Sequence, residues 1–278
     1  MNPGGWDRRA EDGIGRPRVM AAGLAADRTD LRPEDTAFLA EVVGALARDP
    51  FAPAARLARG LYVSPSHLAH RFRAVAGISP GAFALALRMQ EAKRLLIETR
   101  LPVVEVALEV GYDSLGTFTT RFASLVGASP GRFRARLDAL EESPSPPMPG
   151  PAPGEAAVVG RLEAPAGFQG VAFVGLFPSN LPAGRPSAGV IAPVPGHYRI
   201  RRCAPGWYRV LVACFDSAPG PRELLLSRAA LVGAGTHAVA VGHHGTALCD
   251  VSLRPPTAGD PPVVVSLAHL RAPGPAGA

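Results

Sequence analysis

Lysine is almost missing from this sequence, which holds a single copy, Lys93, among 29 basic residues. The other basic residues are arginines in a chain rich in alanine, glycine and proline, a bias that indicates high-GC coding. Arginine enrichment by itself therefore says little about function. The formal net charge of +6 fits an anionic partner or no charged partner at all.

Long apolar runs are also missing. No stretch reaches the roughly 18 apolar residues that are needed to cross a bilayer. The first residues, MNPGGWDRRAEDGIGRPR, lack the apolar core of a secretory signal peptide. We therefore expect a cytoplasmic protein with no membrane partner.

Cysteine is scarce, with three copies at Cys203, Cys214 and Cys249. An odd number, wide spacing and the lack of a C-x-x-C pair predict reduced, partly buried thiols and no disulfide framework. The motif H-E-x-x-H and a phosphate-binding glycine loop are absent from the sequence. We therefore expect no enzymatic activity, no catalytic residue and no cofactor.

One group of side chains raises the question of a metal. His237, His243, His244 and Cys249 lie close in sequence, and such residues can bind zinc. The segment VGHHGT, however, lies between two strand-like runs, where it is more simply a polar turn. We therefore expect no metal site.

The sequence divides into segments of different character, and its 278 residues favour two domains. A helical pattern ends at a stretch with six prolines, which prevents both helix and strand and predicts an extended linker. We do not expect the two halves to be rigidly coupled across it. The predicted segments are a disordered arm at 1–32, a helical domain at 33–142, a proline-rich linker at 143–154, a β domain at 155–270 and a tail at 271–278.

One sequence motif occurs twice in the helical half. VSPSHLAHRF begins at Val63 and YDSLGTFTTRF at Tyr112, and G-x-S-P-G-x-F follows each copy. Serine followed by proline suits a helix start, because the serine oxygen caps a free amide and proline loses no hydrogen bond there. The pattern predicts seven helices, four of which pair as two helix-turn-helix units at about 53–76 and 102–127.

The two units align with one residue of difference in the turn. Ala58 to Leu68 spans ten positions and Ala107 to Phe118 spans eleven. Each unit has a small alanine where its helices cross, and each has a second apolar anchor four residues after the first. Because the anchors fix one face of the second helix in the core, the opposite face must project outward.

The outward faces carry hydroxyl, imidazole and guanidinium groups, which hydrogen-bond base edges and phosphates in a major groove. Residues 53–137 hold twelve Lys and Arg against five Asp and Glu. Two copies in register favour DNA binding over a merely structural helical domain. The outward residues are Ser66, His67, His70, Arg71 and Arg73 in the first unit and Gly116, Thr117, Thr120 and Arg121 in the second.

These two segments resemble the two halves of an AraC/XylS-type DNA-binding domain, over residues 36–137. The resemblance implies two recognition helices in successive major grooves, held about one DNA turn, roughly 34 Å, apart by the long fourth helix. It also implies which residues contact DNA. The base contacts fall on Ser66, Ala69, His70, Gly116, Thr117 and Thr120. Leu115 and the outward basic residues named above are further DNA-binding residues. Ala69 and Gly116 offer no side-chain hydrogen bond, and Tyr62 stands in the first turn where glycine is frequent in this family.

The second half reads as short apolar runs between Pro/Gly turns, a pattern that predicts an antiparallel sandwich or barrel. PGHYRI and PGWYRVLV resemble the transthyretin-like or carboxypeptidase-regulatory-like β-sandwich, in which such a turn leads into a tyrosine-bearing strand. The predicted fold is therefore multi-domain: an all-α double helix-turn-helix domain joined by a proline-rich linker to an antiparallel β-sandwich. The fold alone does not assign a function to the β half.

Our hypothesis is a transcriptional regulator that docks on double-stranded promoter DNA, with a β domain that senses a ligand or mediates assembly. RNA polymerase, a small-molecule effector and a second copy of the chain are further candidate partners. One alternative is a constitutive DNA binder whose β domain only contacts other proteins. Another is a ligand-binding β domain with a vestigial helical half.

Overall fold

The computed structural model describes residues 32–142, 156–201, 203–216 and 220–267. The proline-rich linker and the C-terminal tail lie outside the described residues. So does the predicted N-terminal arm, apart from Arg32.

The helical half has the seven predicted helices, and most begin where the sequence signals place them. Ser64, Ser79, Ser114 and Ser129 each accept a hydrogen bond from the backbone amide three residues on. The helices are α1 (Pro33–Arg48), α2 (Ala54–Gly60), α3 (Pro65–Ala76), α4 (Pro80–Glu98), α5 (Val103–Glu109), α6 (Leu115–Val126) and α7 (Pro130–Glu142).

Two apolar clusters hold these helices together, and the predicted anchors lie at their centres. Leu68 and Phe72 of α3 are fully buried with the inner face of α1. Phe118 and Phe122 of α6 are fully buried in the second cluster. The long helix α4 contributes side chains to both clusters, so it ties the two helix-turn-helix units into one body.

The described residues of the β half form nine strands in two sheets. One sheet has the order β4-β1-β8, with β9 also paired to β1; the other has the order β3-β2-β5-β6, with β7 paired to β5. The strands are β1 (Ala157–Glu163), β2 (Gly170–Phe177), β3 (Ala188–Val194), β4 (Gly196–Arg201), β5 (Gly206–Asp216), β6 (Leu231–Ala234), β7 (Val239–Val241), β8 (Thr246–Leu248) and β9 (Val251–Ser252).

Both sheets contribute to one apolar core, which includes Val158, Val174, Ile200 and Val210. The larger sheet is antiparallel throughout, as expected. The smaller sheet is not, because β8 and β9 run parallel to β1 while only β4 runs antiparallel to it. The prediction of a purely antiparallel β half is therefore wrong for this sheet, whose last two strands return to the same edge of β1.

An eighth helix, α8 (Pro221–Leu226), lies in the β half, where the sequence suggested a strand-like run beginning at Glu223. Pro221 fixes the backbone of the first helical position, and the Glu223 carboxylate accepts a hydrogen bond from the Gly220 amide at 2.9 Å. These start signals outweigh the strand preference of the apolar run that follows.

The two halves pack against each other, contrary to the expectation of loose coupling. Leu225, Leu226 and Val264 of the β half are buried in the same cluster as Phe118. The Gln90 side chain of α4 donates a hydrogen bond to the Leu226 carbonyl at 2.6 Å. The proline-rich composition of the linker predicts only the conformation of the segment that joins the halves. It does not predict whether their surfaces pack together.

Candidate nucleic-acid interface

The first helix-turn-helix unit is α2, a short turn and α3. The turn is closed by hydrogen bonds from the Tyr62 amide to the Arg59 carbonyl and from the Val63 amide to the Ala58 carbonyl. Tyr62 has a φ of +56°, in the left-handed region, and its side chain is 97% exposed. This backbone conformation explains why glycine is frequent at this point, and Tyr62 occupies it at a conformational cost.

The second unit, α5-turn-α6, repeats the same turn. Gly111 has a φ of +73°, and its amide and that of Tyr112 bond to the carbonyls of Leu108 and Ala107. Gly111 is therefore the structural counterpart of Tyr62. The second unit is one residue longer than the first, and the extra residue lies after Gly111. It is Asp113, directly before the capping serine Ser114.

On α3, the predicted DNA-facing side chains are mostly free of the core. Ser66, His67, His70 and Arg73 are exposed, and Ala69 is half-buried beside the anchor Leu68. Ser64 accepts a hydrogen bond from the His67 amide at 3.1 Å, so the N-terminal turn of α3 is capped from within the chain. The exposed side chains of this helix thus lie together on one surface.

Arg71 differs from its neighbours, because its guanidinium is held by α1. It donates two hydrogen bonds to the Asp35 carboxylate, at 3.1 and 3.3 Å, and one to the Glu34 carbonyl at 3.2 Å. It also lies 4.2 Å from the centre of the Phe38 ring, and 33% of its side chain is exposed. Its role in this structure is to fasten α1 to the first recognition helix.

On α6, all five predicted residues are exposed. Gly116, Thr117, Thr120 and Arg121 lie on the face opposite the two buried phenylalanines. Leu115, at the N-terminal end, is 44% exposed. This second surface is less charged than the first, and an apolar side chain stands at its leading edge.

Arg88 of α4 positions the second unit, a role that sequence reasoning missed. Its guanidinium donates to the Val110 carbonyl at 2.8 Å and to the Gly111 carbonyl at 2.9 Å. It also lies within 4.5 Å of the ring centres of Phe51 and Tyr112. Helix α4 therefore holds the turn before α6 directly. The sequence does not predict this contact, because an arginine on a helix face does not reveal its partner.

The β half closes the C-terminal end of α6. The last carbonyls of a helix lack partners within it. The Leu125 carbonyl accepts a hydrogen bond from the Gly184 amide, and the Val126 carbonyl accepts one from the Ser266 amide at 3.0 Å. Both donors are backbone groups of loops, so no sequence pattern identifies them.

The C-terminal end of α3 also meets the β half. Gly77, with a φ of +71°, ends the helix, and the Asn180 side chain donates to its carbonyl at 3.4 Å. The next residue, Leu181, packs against both helical clusters. The loop between β2 and β3 thus reaches both recognition helices away from their exposed faces.

Among the residues that the structure describes, no group of three or more His, Cys, Asp or Glu is arranged to hold a metal ion. The three cysteines are free and buried, as predicted. Burial raises the pKa of each thiol, that of Cys214 to about 11, which disfavours the reactive thiolate. Within the same described segments, no helix combines the length and apolar character needed to cross a bilayer.

Two similar bihelical units, joined by one rigid helix and each presenting an exposed second helix, define a double helix-turn-helix domain. A model described as a helix-turn-helix domain matches residues 57–136. The arabinose operon regulatory proteins of Salmonella typhimurium and Escherichia coli are each 41% identical over 81 residues. This region therefore matches a helix-turn-helix domain and is similar to part of the arabinose operon regulatory proteins.

The similarity covers only part of each protein. The aligned region is 29% of this chain and 29% of the Salmonella relative's length. The transcriptional regulator CdhR of Pseudomonas aeruginosa is 32% identical over 111 residues, which is 39% of this chain and 33% of CdhR. Among solved structures, the DNA-binding domain of AdpA in complex with a target DNA is 31% identical, with a TM-score of 0.35, over 36% of this chain and 93% of that one.

Proposed function

We propose that this chain is a sequence-specific DNA-binding transcriptional regulator. The observation that carries the proposal is the pair of exposed faces on α3 and α6, each fixed by buried anchors and joined through α4. In this proposal the two helices enter successive major grooves of promoter DNA. Relatives of the helical region are transcriptional regulators, and a related domain has been solved with target DNA.

The two faces have different tasks in this proposal. On α3, Ser66 and His70 contact base edges, while Arg73 contacts phosphate. The bonds of Arg71 to Asp35 compete with phosphate, so Arg73 is expected to contribute more than Arg71 to the affinity for DNA. On α6, Thr117 and Thr120 offer hydroxyls and Leu115 an apolar contact, and DNA shape supplies further discrimination.

We further propose that the β half is a sandwich that modulates DNA binding. The packing of both sheets on one core supports the sandwich, with its transthyretin-like resemblance. The contacts of the β half with both recognition helices support modulation over a role as a passive interaction module. They also argue against a vestigial helical half, because the contacts position the ends of the helices that would bind DNA.

The test is fluorescence anisotropy of the full-length chain with its own upstream DNA and with a scrambled duplex, at several salt concentrations. We expect preference for the upstream DNA and a steep fall in affinity with salt, because Arg contacts to phosphate release counterions. His70→Ala is expected to reduce the preference by about tenfold, since one base contact contributes on the order of 1–3 kcal/mol.

His197→Ala is the matched control, because His197 is also an exposed histidine but lies on β4. It should bind both duplexes as the wild-type chain does. Binding that is weak, indifferent to salt and equal for both duplexes would refute the proposed function. Tight binding without preference would leave a DNA-binding protein but refute sequence-specific recognition.

A further inference from the structure

The loop between β2 and β3 places an arginine beside the second recognition helix. Segment 180–184 of this loop lies against the helical half, and Arg185 follows it directly. The Gly184 amide bonds to the Leu125 carbonyl near the C-terminal end of α6. A Cβ at Gly184 would lie 3.1 Å from the Ser124 carbonyl oxygen, so the backbone of the loop touches the helix there. Arg185 is therefore one residue away from a direct contact with α6.

Ser124 lies on the proposed DNA-binding face of α6. It is exposed, and Thr117, Arg121 and Ser124 follow one another at spacings of four and three residues, which places their side chains on one face of the helix. The Ser124 hydroxyl donates a hydrogen bond to the Arg121 carbonyl at 2.8 Å. The loop therefore borders the C-terminal end of the same face that carries the predicted DNA contacts.

The charged residues around this point are all of one sign. Residues 114–137, which cover α6 and the first half of α7, include four arginines and no aspartate or glutamate. Segment 180–187 adds Arg185 and no acidic residue. Arg185 is exposed and, among the described residues, forms no ion pair, in contrast to Arg71. Its guanidinium is therefore available to a phosphate, whose oxygens it matches with two parallel hydrogen bonds.

The backbone on both sides of Arg185 is held in place. Leu181 packs against both apolar clusters of the helical half. The Pro182 carbonyl accepts hydrogen bonds from two amides of the C-terminal segment, at 2.9 and 3.0 Å. After Arg185, the Ser187 amide bonds to the Leu176 carbonyl of β2 at 2.9 Å. Binding of an anion by Arg185 therefore restricts only its side chain, which keeps the entropic cost of the contact small.

The length of α6 brings its C-terminal end to the phosphates and not to the bases. A helix of 12 residues is about 18 Å long, whereas the major groove is about 12 Å wide. In helix-turn-helix proteins the N-terminal residues of the recognition helix contact the base edges. The C-terminal end of α6 then lies beyond the bases, where the phosphates border the groove. A basic side chain beside that end is placed to bind a phosphate.

We propose that Arg185 of the β half is a further DNA-binding residue, which contacts a phosphate at the edge of the major groove that α6 enters. The β half then forms part of the DNA interface itself. The contact contributes affinity and does not read sequence, because a phosphate is the same for every base. This inference rests on the proposed DNA-binding function, and the experiment separates the loss of this one contact from the absence of DNA binding.

The test compares the full-length chain with its Arg185→Gln variant by fluorescence anisotropy, on the upstream and the scrambled duplex, at several salt concentrations. We expect the Kd for both duplexes to rise by about five- to tenfold at about 0.1 M salt. The slope of log K against log salt should become shallower by about one, because one phosphate contact is lost. The ratio of the two affinities should not change. Arg185→Lys keeps the charge and should restore most of the affinity and the slope.

Arg199→Gln is the matched control, because Arg199 is also an exposed arginine of the β half but lies on β4, in the other sheet. It removes the same charge and should leave the Kd and the salt slope of the wild-type chain unchanged. His70→Ala should show the opposite pattern to Arg185→Gln, since the ratio of affinities falls and the slope stays. Circular dichroism and the melting temperature establish that each variant is folded.

Ethylation interference locates the contact on the DNA. Ethylation of one phosphate at the edge of the site should weaken binding of the wild-type chain and have no effect on Arg185→Gln. A wild-type Kd and slope in Arg185→Gln would overturn the proposed contact and leave the DNA-binding function standing. An equal loss in Arg199→Gln would also overturn it, because the effect would then come from net charge. If the wild-type chain binds neither duplex, the proposed function is refuted, and the contact with it.

Discussion

At the scale of single residues, the two turns place different side chains in the same backbone conformation. Gly111 meets the left-handed geometry without cost, and a side chain there would collide with the Phe51 ring. Tyr62 meets the same geometry with a bulky side chain in open solvent. The two positions are equivalent in hydrogen bonding and differ in strain.

Replacing Tyr62 should therefore stabilise the protein. Tyr62→Gly is expected to raise the free energy of unfolding by about 0.5–1 kcal/mol, since glycine adopts a φ of +56° without steric conflict. Tyr62→Ala is the control, because it removes the ring and keeps the Cβ. Urea unfolding checks both variants, and an equal gain from alanine would mean that the ring and not the backbone is the source of the cost.

At the scale of elements, each recognition helix ends in a left-handed glycine, at Gly77 and Gly127. The two sites have different surroundings. A Cβ at Gly77 would overlap the Asn180 side chain, whereas nothing lies within 4 Å of one at Gly127. Alanine substitutions at Gly77 and Gly127 should therefore introduce the same backbone strain. Only the substitution at Gly77 also disturbs a contact from the β half.

We expect Gly127→Ala to lower the free energy of unfolding by about 1 kcal/mol, from backbone strain alone. Gly77→Ala should cost clearly more, about 2 kcal/mol or above, because Asn180 must also move. The comparison is made by urea unfolding of the two variants under identical conditions. Equal costs would indicate that the 180–184 segment does not bear on α3 in solution.

The sequence predicted the seven helices of the helical half, because their signals are local. A serine cap, a proline in the first turn and a terminal glycine act within a few positions of one another. Neither α8 nor the parallel pairing of β8 and β9 was predicted. The bond from Gln90 to Leu226 joins residues 136 positions apart, and no local pattern encodes such a contact.

The predicted site residues show the same limit. The sequence places the outward face of α3 correctly, since periodicity fixes which side chains oppose Leu68 and Phe72. It could not show that Arg71 is engaged by Asp35, a residue of α1 that lies 36 positions away.

At the scale of the whole molecule, Lys93 lies at the centre of the contact between the halves. It belongs to α4, is fully buried, and donates hydrogen bonds to the Ser227 hydroxyl at 3.2 Å and the Val263 carbonyl at 3.1 Å. Burial lowers its pKa from 10.5 to about 7. The packed state therefore disfavours the charged ammonium.

This shift gives the stability a defined pH dependence. Below pH 7, Lys93 is charged whether the chain is folded or unfolded, and the full cost of burying the charge is present. Between pH 7 and 10.5 the unfolded chain binds the proton and the folded chain does not, so the free energy of unfolding rises with pH. Above 10.5 the cost is gone.

Lys93→Met removes this titration and keeps an unbranched side chain in the same space. The wild-type chain should gain up to about 2 kcal/mol relative to the variant between pH 7 and 9. Urea unfolding at several pH values measures the difference in the free energy of unfolding between the wild-type chain and the variant. The contributions of the other titrating groups cancel in this difference. A difference that does not change with pH would mean that Lys93 is accessible to water in the folded protein.

The burial of Lys93 also allows the separation of the two halves to be measured by chemical labelling. It is the only lysine in the sequence, so its ε-amine is the only side chain in the chain open to amine acylation. An activated ester should leave it unmodified while the halves are packed and acylate it when they separate. The mass of the single arginine-flanked peptide that carries it would then count the separated molecules directly, with or without DNA.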